Sequence, residues 1–174
     1  YEEDAKYFSF ERKEEEADFR GKYYSYYESL SNEIKFNKGN LLSMQVMQSN
    51  KKGDNNSFRR YLNLVVDLST GKTLTEEDIF NEDYEKVLNL IFKEKLFTSN
   101  NVKNVHDLED LGYFGIDEIA PNNNFLIGED GVTYIFNKGE YSVLQTDEIT
   151  IQIPYNELSR ILKEKSPISN LYSI

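Results

Sequence analysis

Apolar side chains recur along this chain at two spacings, and each spacing predicts an element. Leu42, Met44 and Val46 alternate with Ser43 and Gln45, and Leu62, Leu64, Val66 and Leu68 alternate with Asn63 and Asp67. A period of two puts each set on one face of a β-strand. The same alternation returns at Val132, Tyr134 and Phe136 and at Ile149, Ile151 and Ile153, with Phe125 and Ile127 leading in through a Glu129-Asp130-Gly131 turn. Tyr23, Tyr24, Tyr26 and Tyr27 favour a pleated surface, and Leu30, Ile34 and Phe36 share a parity, so a strand is predicted from Tyr23 to Phe36. Asn37-Lys38-Gly39-Asn40 then supplies the turn of a hairpin.

The other spacing is helical. Tyr84, Val87, Leu88, Ile91, Phe92 and Leu96 form one stripe, with Glu85, Lys86, Asn89, Lys93 and Glu94 outside it. A capping box at Thr75 and Asp78 starts a short helical turn ahead of Ile79 and Phe80. A weaker helix is expected over Val102 to Leu111, and Leu158, Ile161 and Leu162 read as a closing amphipathic helix after Pro154. The charged first twenty residues read as a helix. The polar run from Gln48 to Ser57 is the most loop-like stretch and is expected to divide two small subdomains: residues 1–56, a helix plus hairpin of α/β type, and residues 57–174, an α+β domain. Strands outnumber helices and mostly alternate, which predicts the α+β class, with mostly antiparallel sheets and helices packed on one face.

Composition narrows the chemistry. In 174 residues there are thirteen Tyr and eleven Phe, which argues for a packed core rather than disorder. Cys is absent, which excludes thiol nucleophiles, disulfides, thiolate zinc and iron–sulfur ligation, and the single His excludes two-histidine metal sites. Asp and Glu number 31 against 20 Lys and Arg, a net charge of −11 that disfavours nucleic acid and favours a cationic partner. No apolar stretch is long enough to span a membrane, and the chain opens at Tyr1 without a leader. It is read as a mature fragment whose signal peptide or lipid anchor lies outside it.

Three motifs carry a resemblance. Asp67-Leu68-Ser69-Thr70-Gly71-Lys72-Thr73-Leu74-Thr75-Glu76-Glu77-Asp78-Ile79-Phe80 orders a strand end, a turn and a capped helix. Asn124-Phe125-Leu126-Ile127-Gly128-Glu129-Asp130-Gly131-Val132-Thr133-Tyr134-Ile135-Phe136-Asn137 forms a hairpin, and Ile153-Pro154-Tyr155-Asn156-Glu157-Leu158 a final strand and helix. In this order they resemble the RsiV-like C-terminal domain family of unknown function, which also precedes peptidoglycan deacetylase catalytic domains and occurs in secreted proteins and lipoproteins of Bacteroidetes. The resemblance covers roughly Tyr61 to Leu162, and residues 7–48 are similar to the small α/β domain that often precedes it. It implies an extracytoplasmic protein, periplasmic, secreted or a cell-surface lipoprotein, without catalytic residues, cofactor or metal. It also suggests a lysozyme-like cationic protein or peptidoglycan as partner. The family's usual segments are replaced here by Lys51-Lys52-Gly53-Asp54-Asn55-Asn56 and by Gly139-Glu140-Tyr141-Ser142-Val143-Leu144.

Among the residues themselves, His106 lies beside Asp107, Glu109 and Asp110, which would raise its pKa, but no nucleophile motif accompanies it, so a surface histidine is the simpler reading. Paired carboxylates would serve a glycan hydrolase if two stood about 5 to 10 Å apart in a cleft. Glu76-Glu77-Asp78 is explained by a helix start and Glu14-Glu15-Glu16 by a solvated face. Asp54-Asn55-Asn56 and Asn122-Asn123-Asn124 offer oxygen ligands for calcium, but turn chemistry accounts for both. The best candidate for a binding surface is aromatic: Tyr23, Tyr24, Tyr26 and Tyr27, whose rings would stack on sugars or anchor an interface, together with Tyr141, although cross-strand packing in an ordinary sheet is the simpler reading of the cluster. The expected function is a non-catalytic binding or sensing module of the bacterial envelope. The alternatives are an envelope glycan hydrolase and a structural accessory domain of a lipoprotein.

Overall fold

Alternating sequence becomes two antiparallel sheets. The computed structural model describes residues 9–17, 23–52, 58–143 and 147–172. In it β1 (Ser9–Ala17), β2 (Tyr23–Lys38), β3 (Leu41–Lys52), β4 (Phe58–Asp67) and β5 (Lys72–Thr73) pair in chain order. Gly39 and Asn40 join β2 to β3, and both take positive φ, 63° and 62°, the backbone that a two-residue hairpin of type I′ requires. A second sheet is built from β6 (Phe125–Ile127), β7 (Gly131–Phe136) and β8 (Ile149–Pro154). Between the sheets in sequence come α1 (Glu76–Ile79), α2 (Tyr84–Asn100) and α3 (Val105–Asp110), and α4 (Tyr155–Leu158) follows β8. The class is α+β, as the patterning predicts.

The core lies under the second sheet. Register aligns Phe125 with Tyr134 and Ile151, and Ile127 with Val132 and Ile153, so all six share one face, and all are buried. The predicted stripe of α2 covers that face through Leu88, Phe92 and Leu96. Phe92 meets Tyr134 and Phe136 edge-on, with centroids 4.9 and 5.3 Å away, the arrangement that ring quadrupoles favour. Each such side chain contributes about 1.5–3 kcal/mol on burial. Gly131 starts β7 because nothing larger fits: a Cβ there would stand 2.1 Å from the Ile153 carbonyl oxygen.

Three expectations are revised. The first twenty residues do not form a helix where they are described: Ser9–Ala17 is β1, paired along its length with β2. Phe10 and Ala17 are seven apart, two helical turns, so spacing alone suggests a helix, and pairing with a neighbouring strand overrides it. The polar run at 48–57 is strand as far as Lys52; Asp54, Asn55 and Asn56 lie outside the described residues. Residue 56 itself lies outside the described residues, and the strands on either side of it, β3 and β4, pair over ten positions from Leu41–Asp67 to Asn50–Phe58. The closing helix is a single turn, because Leu162 leaves it to bridge Phe80 and the Lys163 N–H donates to the Ile79 carbonyl at 2.9 Å.

Candidate functional site

The sequence-predicted tyrosines part company. Tyr23, Tyr24 and Tyr26 stand on β2 opposite Ala17, Glu16 and Glu14 of β1, and their side chains lie outside the described residues. Tyr27 is half-buried on the same strand, paired with Lys13 and Lys51. Tyr141 is half-buried elsewhere: its ring stands edge-on to Phe136 at 5.3 Å, and its hydroxyl accepts from the Ala120 N–H at 3.3 Å. Tyr141 thus braces the core. His106 is exposed on α3, where hydrogen bonding to Glu109 and the nearby Asp110 hold its pKa above the ordinary value.

A different surface emerges from strand register. Leu62, Leu64 and Val66 of β4 lie directly opposite Val46, Met44 and Leu42 of β3, and Met44 in turn opposes Ile34 of β2. Opposed residues share a face. The other face packs toward β6: the Ser43 hydroxyl donates to the Ile127 carbonyl at 2.7 Å, and Val65 is buried. The aliphatic face joins neither the buried core nor the residues packed against it. Leu62 is 54% exposed and Leu30, further along β2 on the same face, 38%. Periodicity found this aliphatic row, but alternation cannot tell which face of a sheet will be covered.

The asparagine loop, with Asn137 after β7, closes the edge of that sheet. The free edge of β4 presents the N–H groups of Tyr61 and Asn63 and the Tyr61 carbonyl. Asn137 Oδ1 accepts from Tyr61 N–H at 2.7 Å, and Asn124 Oδ1 from Asn63 N–H at 2.7 Å. The side-chain amides of Asn124 and Asn137 donate back to the Tyr61 carbonyl at 3.1 and 3.0 Å. Asn124 also donates to the Ile135 carbonyl of β7 at 2.9 Å. Two side-chain amides thus stand in for a missing strand, closing an edge that would otherwise recruit another chain. Asn122, Asn123 and Asn124 spend their polar groups internally, as turn chemistry predicts, with Asn123 at φ 56°.

This loop is tied to a buried acid. Glu76, 2% exposed, accepts from Asn123 N–H at 2.8 Å and from the Tyr84 hydroxyl at 3.3 Å, while its own N–H donates to Asn123 Oδ1 at 3.0 Å. The fully buried Tyr134 hydroxyl adjoins the same carboxylate without a well-formed hydrogen bond. Burial outweighs the donated bonds and holds the Glu76 carboxyl above its usual pKa. Burial, and then the charge of Glu76, push Tyr84 up to about 12. The expected capping box supplies the reason Glu76 is free to turn inward: Asp78 Oδ2 accepts from Thr75 N–H at 2.9 Å, leaving the first helical residue uncommitted. The sequence reading assigned Glu76 to the helix start alone. Its spacing three residues before buried Ile79, on one helical face, is the signal that marks it.

Among the described residues no helix is long and apolar enough to cross a membrane. No curated protein matches the chain. The chain is similar to the crystal structure of a DUF3298-family member from Bacteroides fragilis NCTC 9343, with TM-score 0.78 and 26% identity over 86% of this chain and 59% of that one. It shares its fold with a DUF3298-family protein from Pseudomonas aeruginosa PAO1, with TM-score 0.64 and 16% identity over 83% and 63% of the two chains. It therefore spans about three fifths of the length of these relatives. Residues 77–156, from the acidic start of α1 to the start of α4, match the family described as "Protein of unknown function (DUF3298)".

Proposed function

We propose that this chain is a non-catalytic, extracytoplasmic binding module of the bacterial cell envelope, carried by a secreted, periplasmic or lipid-anchored protein of RsiV-like kind. Its partner is a cationic protein of lysozyme type, and its docking surface is the aliphatic face of β2–β4. The observation that carries this reading is the row Leu62, Leu64 and Val66 with its partners Val46, Met44 and Leu42, outside the core on a sheet whose free edge is clamped. Leu62 is exposed and the rest of the row half-buried, and an apolar sheet face that the core leaves partly open to water is the usual sign of an interaction surface. The net charge of −11 supports a basic partner by complementarity and steering.

Calorimetric titration with lysozyme, and co-sedimentation with purified peptidoglycan, test the reading. Lysozyme is expected to bind, with affinity falling steeply as salt rises. Absent lysozyme binding, a flat salt response, or binding to peptidoglycan alone rejects the cationic-protein partner.

One observation favours a second reading, glycan hydrolysis by carboxylates: Glu76 has a raised pKa and its partner Tyr84 lines an open pocket beside Glu77. A general acid must reach the substrate oxygen, whereas both Glu76 oxygens already accept hydrogen bonds inside the fold. Turnover of peptidoglycan fragments that disappears in Glu76→Gln would establish this reading over the first.

A further inference from the structure

A pocket of about 710 Å³ opens where α1, the start of α2 and the C-terminal segment meet, lined by Glu77, Phe80, Asn81, Glu82, Tyr84 and Lys163. Its walls are fixed. Phe80 bridges Leu162 in antiparallel fashion, Asn81 N–H donates to the Ile161 carbonyl at 2.7 Å, and the Asn81 side-chain amide donates to the Leu162 carbonyl at 3.2 Å. The Phe80 and Tyr84 rings stack with centroids 5.5 Å apart, and the Tyr84 hydroxyl is held by buried Glu76. The pocket is thus an aromatic wall backed by one carboxylate and flanked by two exposed ones, Glu77 and Glu82.

The field inside it is negative. Glu76, Glu85 and Glu77 all act on the Tyr84 hydroxyl in the direction that disfavours a second negative charge. Against them stands one cation, Lys163, whose ammonium already donates to the Glu77 carbonyl. Carboxylate oxygens beside an aromatic ring, in an open pocket, suit a partly solvated cation. Resting on the proposed cationic partner, we infer that this pocket receives a lysine or arginine side chain of that partner, with the alkyl stem against Tyr84 and the charge between Glu77 and Glu82.

The test is a two-dimensional amide NMR titration of the whole chain with acetyl-arginine amide, acetyl-lysine amide and neutral acetyl-norleucine amide. The cationic probes are expected to shift the amides of Phe80, Asn81, Glu82 and Tyr84 selectively, and the neutral one to leave them still. Glu77→Gln with Glu82→Gln, both at exposed positions, should weaken the cationic probes about five-fold, the loss expected for two partly solvated charge pairs. Leu62→Asp should leave probe affinity unchanged. Shifts spread evenly over the acidic surface, equal response to the neutral probe, or an unaltered affinity in the double variant overturns the inference. Lysozyme binding that fails while the arginine probe still fills the pocket would overturn the proposed function and leave this site standing.

Discussion

At Glu76 the cost of burying a carboxylate is set against two donated hydrogen bonds, and its raised pKa says that burial is the larger effect. A carboxyl whose folded pKa is raised contributes stability that is fully present below its unfolded value, here 4.5, and that is lost as pH rises through the folded value. Glu76→Gln keeps an acceptor for Asn123 and removes the charge. Chemical denaturation of both proteins at pH 4 and pH 8 should therefore show the native protein losing stability relative to the variant on going to pH 8. A variant less stable than the native protein by more than about 1 kcal/mol at pH 8 would mean that the charge is held favourably, against this account. Three consecutive acids at 76–78 look alike in sequence. Their fates differ because Asp78 closes the cap and Glu77 faces water, leaving Glu76 to the interior.

Elements were legible where periodicity and turn chemistry agreed. The α2 stripe, the hairpin at Gly39 and Asn40, the capped α1 and the alternation of β8 all follow from spacing. The elements that differ are those decided by long-range partners: β1 by pairing with β2, and the short α4 by the Phe80–Leu162 bridge. No local rule says that Asn124, 61 residues from Asn63, caps the edge of β4. Asn124→Ala would orphan the buried Asn63 N–H and should cost about 1–3 kcal/mol in thermal or chemical unfolding. Gly131→Ala acts by another route, forcing a methyl into the Ile153 carbonyl. It should cost at least the 1–3 kcal/mol of an overpacked core, whereas Gly71→Ala, with open space around it but φ at 71°, should show only backbone strain. Equal effects at the two glycines would contradict the close-approach argument.

On the scale of the whole molecule, the α+β class and antiparallel pairing were readable from the chain, but which face of the first sheet stays outside the core was not. Tyrosines attracted the sequence reading because aromatic rings anchor interfaces; Tyr141 proves to pack on Phe136, while the row beginning at Leu62 stays outside the core. Which face of a sheet is covered depends on where β6 docks, and Ser43, a residue with no hydrophobic signal, makes that contact.

Leu62→Asp tests the central claim most directly, because the two forces then pull in opposite directions. The position is 54% exposed, so the fold should tolerate the change. Attraction of a basic partner by charge alone would strengthen with one more carboxylate. Docking on the aliphatic face predicts that lysozyme affinity measured by calorimetry falls about ten-fold or more, the loss seen when a central contact is removed. Unchanged or tighter binding by Leu62→Asp would contradict the account.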